Sequence, residues 1–153
     1  MNTLSLRRAA LTSLIAGVVA GTIDVGCAAL INRAAPGQIL QVIASGLIGR
    51  AAFHADGSAA LGLLLQWSMS IIIAAIYLAS ARFRVVMLRH WVAAGLLYGT
   101  VVYVVMNFVV VPLSAMPLHG RITALGIALN LAAMWLFALI ISYSAELAAR
   151  RMA

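Results

Sequence analysis

Asp24 is the residue of this chain most able to do chemistry, because it is the only acidic residue set well inside an apolar run. A carboxyl in hydrocarbon is costly, so it faces protein or water rather than lipid. Gly17, Gly21, Asp24 and Ala28 follow i, i+4, i+7, i+11 spacing, so they share one face of a helix. That spacing puts the carboxyl on the small-residue surface where a neighbouring helix packs. Gln66, Asn107 and Asn130 are strongly polar side chains in three further apolar runs. At the α-helical rise, Asp24 lies about 10 Å and Asn107 about 9 Å from the ends of their helices, and Gln66 and Asn130 each about 12 Å. The four form a polar layer at similar depth, with Asn107 at the flank of its helix's glycine surface. Two chemistries are open to the layer. Hydrogen bonds between helices would fix register, each contributing about 0.6 to 2 kcal/mol. Alternatively, Asp24 titrates, and proton uptake or release is linked to binding a cation or small polar solute.

Other reactive types are scattered. Arg50, His54 and Asp56 fall close together between two apolar runs, as a possible cluster at a membrane rim or as solvated charge. His54, His90 and His119 lie at run ends or in loops, whereas haem held between helices needs facing histidines inside a bundle. One cysteine, Cys27, and three separated histidines give no metal-ligand spacing. Asp24-Val25-Gly26-Cys27 departs from a lipoprotein cleavage box in carrying an acidic residue where an aliphatic one belongs. No nucleophile elbow, phosphate loop or paired intramembrane carboxylates occur. These readings predict neither a cofactor nor a bound metal.

The glycines explain how such a layer would be positioned. Gly17-x-x-x-Gly21 and Gly95-x-x-x-Gly99 each open a shallow groove in which another backbone can approach closely. Their surroundings match: Ala16-Gly17-Val18-Val19-Ala20-Gly21-Thr22 parallels Ala94-Gly95-Leu96-Leu97-Tyr98-Gly99-Thr100. More weakly, Gly62 and Gln66 align with Gly126 and Asn130, at an offset that also pairs Ser80-Ala81 with Ser144-Ala145. This pattern predicts a duplicated two-helix hairpin, its halves running the same way across a membrane and related by an axis along the normal.

The elements themselves follow from composition. Hydrophobic residues make up 65% of the chain and charged residues 8%, against roughly 45–50% and 25% in soluble domains. Mean hydropathy is +1.12. The apolar runs recur to the C-terminal part of the chain, which a signal peptide on a soluble domain would not produce. Four runs reach the roughly 20 residues that a membrane-crossing helix needs: 9–31, 58–81, 91–113 and 122–145. Backbone groups have no water partner in lipid, so these runs are helices, and the alternation of a β-barrel is absent. The long first connection contains the turn signal Pro36-Gly37. After it, residues 38–53 carry Ile39, Leu40, Ile43, Leu47 and Ile48 largely on one side and Gln38, Gln41 and Ser45 on another. This predicts a short amphipathic helix in the interface or tucked against the bundle. Asp56-Gly57-Ser58 supplies turn and N-cap chemistry for the second span, and Pro112 marks the end of the third or a kink in it.

All ten basic residues are arginine, and the formal net charge is +7. The arginines flank the spans, and no basic groove interleaved with aromatics is present, so nucleic acid is not the expected partner. Arg7, Arg8, Arg82, Arg84, Arg89, Arg150 and Arg151 fall on one side and Arg33, Arg50 and Arg121 on the other. That excess predicts cytoplasmic termini, with the 38–53 helix on the outer side.

Leu40-Gln41-Val42-Ile43-Ala44-Ser45-Gly46-Leu47-Ile48-Gly49 and Met106-Asn107-Phe108-Val109-Val110-Val111-Pro112-Leu113-Ser114 resemble segments of small bacterial inner-membrane proteins of a YagU-like group. The resemblance implies a four-helix bacterial inner-membrane protein and carries over no active site. In layout alone, the size and first-span carboxyl are similar to small multidrug resistance transporters; the extra helix and the lack of their sequence signature separate this chain from them. The expectation is therefore an all-α membrane protein of one domain over residues 1–153. It is expected to be non-enzymatic and to act in the lipid bilayer through helix packing, in a homo-oligomer or with a membrane-protein partner. The alternative is a proton-coupled transporter or channel using Asp24.

Overall fold

The computed structural model describes residues 6–116 and 123–150. His119, Arg121, Ile122 and Arg151, which enter the reading above, lie outside the described residues. Four helices are long and apolar enough to cross a membrane: α1 (Leu6–Asn32), α3 (Ser58–Phe83), α5 (Trp91–Leu113) and α6 (Ala124–Arg150). Between them lie α2 (Pro36–Ile48) and the short α4 (Val85–Arg89). Among the described residues there is no strand. The helices outrun the apolar segments because they continue through flanking arginines. Arg7, Arg8, Arg82 and Arg150 are helical, and their long stems let the charge reach the headgroups while the backbone bonds stay paired.

α1 packs along both α3 and α6, and α5 packs along α6. The dense core lies at the proximal end, where α1 begins and α6 finishes. Ala9 and Ala20 of α1, Ala74, Tyr77, Leu78 and Ala81 of α3, Leu88 of α4, and Phe137, Ile141 and Ala145 of α6 are buried together there. α3 and α5 are joined through one side chain: Tyr98 Oη donates to the carbonyl of Ile73 at 2.7 Å. The Tyr98 ring also meets that of Tyr77 edge-on at 5.1 Å.

The distal end is built differently. α2 starts at Pro36, whose missing N–H costs nothing in a first turn. The Gln38 side-chain oxygen accepts the N–H of Ala35 at 3.0 Å. A 3₁₀ turn, Gly49–Phe53, completes the helical region expected over residues 38–53. α2 packs on α3, where the Leu40 carbonyl oxygen occupies the space that a Cβ of Gly62 would fill. The amphipathic pattern left its bundle-facing side open: Ala44 and Ser45 are buried, while Leu47 and Ile48 are exposed. Small residues allow the backbones to touch, and the long apolar chains are left for lipid. Ser45 is accommodated because its hydroxyl donates to the Val42 carbonyl at 2.6 Å. α3 starts at Ser58 as expected, with its N-cap inside the Asp56-Gly57-Ser58 turn. Gly57 takes the cap with φ +78°, and the Ser58 hydroxyl is buried without a hydrogen-bond partner among the described residues.

Pro112 lies at the end of the third span, which stops one residue later at Leu113 as the sequence places it, and the turn before the proline is altered. Met106–Val110 forms a π turn, in which Val111 N–H donates to the Met106 carbonyl five residues back, and the helix continues to Leu113. Proline has no N–H and its ring crowds the carbonyl four residues earlier. Widening the preceding turn relieves that crowding. The Ala115 N–H then donates to the Gly46 carbonyl at 2.8 Å, tying the distal end of α5 to α2.

Gly62→Leu is expected to dislodge α2 and lower stability by about 1–3 kcal/mol, the usual range for overpacking. Gly37→Ala should be near neutral, since nothing lies within 4 Å of its Cβ position. Thermal melts in mild detergent compare the two; equal tolerance would remove the docking role of Gly62.

Candidate functional site

The glycine surfaces are spent inside the chain. A Cβ on Gly17 would lie 2.6 Å from the Ile71 Cα, and one on Gly21 would overlap the Ser70 hydroxyl, so both glycines seat α1 on α3. In the second hairpin, a Cβ on Gly95 would lie 2.5 Å from the Ser142 Oγ and 3.1 Å from a methyl of Leu139. One on Gly99 would lie 2.7 Å from the Met134 carbonyl oxygen, so α5 is seated on α6 in the same way.

Matching hydrogen bonds run beside the glycines. The indole N–H of Trp67 donates to Thr22 Oγ1 at 3.1 Å, and that of Trp135 donates to Thr100 Oγ1 at 3.0 Å. These contacts fix the repeat register. Gly17 on Ile71 corresponds to Gly95 on Leu139, and Thr22 with Trp67 to Thr100 with Trp135. The α1-to-α5 alignment read from the sequence agrees. The α3-to-α6 alignment moves one helical turn further along α6, so that Gln66 corresponds to Met134 and Gly62 to Asn130. The sequence alignment had matched polar residues to each other, whereas the packing matches the tryptophans.

The polar layer is consequently present in one half only. Gln66 Nε2 donates to Asp24 Oδ2 at 2.9 Å and also lies 3.4 Å from the Gly21 carbonyl oxygen. Both side chains are half-buried. Gln66 is the only described hydrogen-bond partner of the Asp24 carboxylate, and no cation lies within salt-bridge distance among the described residues. The equivalent positions of the second hairpin are apolar, Val102 and Met134. Asn107 and Asn130 do not join Asp24. Both are exposed, and each amide donates to its own helix, Asn107 to the Tyr103 carbonyl at 2.8 Å and Asn130 to the Gly126 carbonyl at 2.7 Å.

Arg50, His54 and Asp56 are all exposed around the 3₁₀ turn, and no ion pair links them. The one ion pair among the described residues is Glu146 with Arg150, one turn apart near the proximal end of α6. Glu146 is buried, and the sequence reading stopped the span just before it. Its signal was the i, i+4 spacing to Arg150. The Thr–Trp bonds were also missed, although both tryptophans lie one turn before the residues that meet the glycines. An open cleft of about 450 Å³ lies at the proximal end, lined by Arg8, Leu11, Thr12 and Ala148, away from Asp24. No family model, curated protein or solved structure matches this chain.

Gln66→Leu should destabilise by about 1–3 kcal/mol, because it leaves the Asp24 carboxyl without its described donor. Met134→Leu at the equivalent position should cost under about 1.5 kcal/mol, as a volume-conserving apolar change. Denaturation in mixed micelles measures both, and equal losses would contradict the one-sided polar layer.

Proposed function

We propose that this chain is a small non-enzymatic protein of a bacterial inner membrane, with cytoplasmic termini, that works by packing its helices within a larger membrane assembly. The observation that carries the reading is the exposure of Asn107 and Asn130. Both lie well within apolar helices, where lipid offers an amide no partner. Each amide places one N–H on its own helix and keeps a carbonyl oxygen and a second N–H for a neighbour. On the same helices, Val101, Val104 and Phe108 of α5 and Leu125 and Leu129 of α6 are also exposed, so each helix offers apolar surface and an amide to a partner helix. The resemblance to YagU-like proteins and the seven-to-three arginine asymmetry in the sequence support the location and orientation.

Native mass spectrometry from mild detergent is expected to find the chain in a species heavier than its own 16.1 kDa. A bare monomer under conditions that preserve known membrane complexes would contradict the reading. A reporter fused at the C-terminus should read cytoplasmic, and a periplasmic readout would reverse the orientation.

A second reading is favoured by Asp24, a half-buried carboxyl with one described hydrogen bond and no counter-cation. In that reading the Asp24–Gln66 pair binds a proton in exchange for a cation or small polar solute. Asp24→Asn keeps the shape and most hydrogen-bonding capacity but cannot titrate. In liposomes, a structural role predicts intact folding and no proton-linked flux in either protein. Flux in the wild type that Asp24→Asn abolishes with folding intact would establish transport.

A further inference from the structure

We propose that the cleft between α1 and α6 at the proximal end binds the phosphate of one anionic phospholipid, with an acyl chain running down the lipid-facing side of α1. Arg8, Leu11, Thr12 and Ala148 line this cleft, whose volume is about 450 Å³. Arg8 and Thr12 stand one helical turn apart, so a guanidinium and a hydroxyl share one opening. Both can donate to phosphate oxygens, and a guanidinium does so through two parallel N–H groups. Further along the same face, Leu11, Ile15 and Val19 follow Arg8 at i+3, i+7 and i+11, and all three are exposed. A cation at headgroup level followed by an apolar ridge matches the order of groups in a phospholipid.

The charge balance requires that the anion come from outside the sequence. Ten arginines stand against three acidic residues, Asp24, Asp56 and Glu146. Asp24 lies about 24 Å along α1 from Arg8 at the helical rise, and Gln66 donates to it. Asp56 is in the distal turn before α3. Glu146 is buried and paired with Arg150. The terminal segments outside the described residues, 1–5 and 151–153, add Arg151 and no acidic side chain. Arg7, Arg8, Arg82, Arg84 and Arg89 therefore lie at the proximal end with no acidic side chain of the sequence left to pair with them. Clusters of four or more basic residues beside membrane spans attract anionic lipid, and basic pockets between spans hold individual headgroups. Of these arginines, Arg8 lines a cleft between two spans, which distinguishes one resident lipid from the diffuse attraction of the rest. The site is separate from the assembly surface proposed above.

Native mass spectrometry of the full-length chain in mild detergent measures lipid binding, with phosphatidylglycerol titrated against phosphatidylcholine. The first phosphatidylglycerol is expected to bind several-fold more tightly than phosphatidylcholine. Arg8→Gln should weaken that first binding about tenfold, the loss expected for a charge-assisted hydrogen bond. Arg7→Gln removes the same charge from the neighbouring residue, which is not part of the cleft lining, and should weaken it less than about threefold. Both side chains are exposed, so thermal melts of the two lipid-free variants should match the wild type. Equal losses in the two variants would mark diffuse charge attraction and overturn the site. Equal binding of the two lipids would overturn it as well. Inorganic phosphate should not displace the lipid, because it gains nothing from Leu11 and Ile15; displacement would mark a site for free anions and overturn the lipid assignment.

Discussion

The close approach of helix backbones at Gly17, Gly21, Gly95 and Gly99 is the constraint on which the rest of the structure depends. In lipid, helices gain no hydrophobic stabilisation from associating, since the surrounding tails are as apolar as leucine. Association has to come from dispersion contacts and hydrogen bonds, and both fall off steeply with distance. The glycines remove the side chains that would hold α1 from α3 and α5 from α6. Only then can Trp67 reach Thr22, Gln66 reach Asp24, and Trp135 reach Thr100. Each of these bonds replaces one that lipid cannot supply, and each is a consequence of the backbone spacing rather than its cause.

The two hairpins share that device and differ in what surrounds it. Along one seam α1 packs on α6; along the other α3 meets α5 through Tyr98, and α2 occupies the distal end of α3. Gly62 marks the change: it is a docking notch for α2 rather than a partner for Gly126 in the repeat. The polar residues sort accordingly. Asp24 and Gln66 satisfy one another inside the first hairpin. Asn107 and Asn130, in the second, fall back on their own helices, and their remaining polar atoms are what the proposed partner would satisfy.

The four spans and α2 were legible in the sequence because lipid imposes a length and a composition on any helix that crosses it. The glycine motifs were legible too, and so was the first half of the repeat, since Gly-x-x-x-Gly leaves an identical trace in both copies. The second half was misaligned by a turn. Gln66 and Asn130 are chemically alike, but similarity of side chains does not determine which residues meet across an interface. The layer of four polar residues failed for a related reason: equal depth along separate helices says nothing about rotation about their axes. Asn107 was placed at the flank of its glycine surface, and the π turn now sits at that position. The π turn accommodates Pro112 locally, and hydrophobic periodicity does not encode it. The amphipathic pattern of α2 left open which side faces the bundle; burial there is governed by how closely backbones can approach, which favours Ala44 and Ser45 over the longer Leu47 and Ile48.

The central claim is that both hairpins are held by the same contact set in one register, and a double-mutant cycle tests it most directly. Thr22→Val with Trp67→Phe, and Thr100→Val with Trp135→Phe, would be compared by unfolding in mixed micelles. The account predicts a coupling energy of about 0.6–1.7 kcal/mol within each pair, the range found for hydrogen bonds between membrane helices. The crossed pairs, Thr22 with Trp135 and Thr100 with Trp67, should show none. Coupling in only one hairpin, or in the crossed pairs, would contradict the shared register.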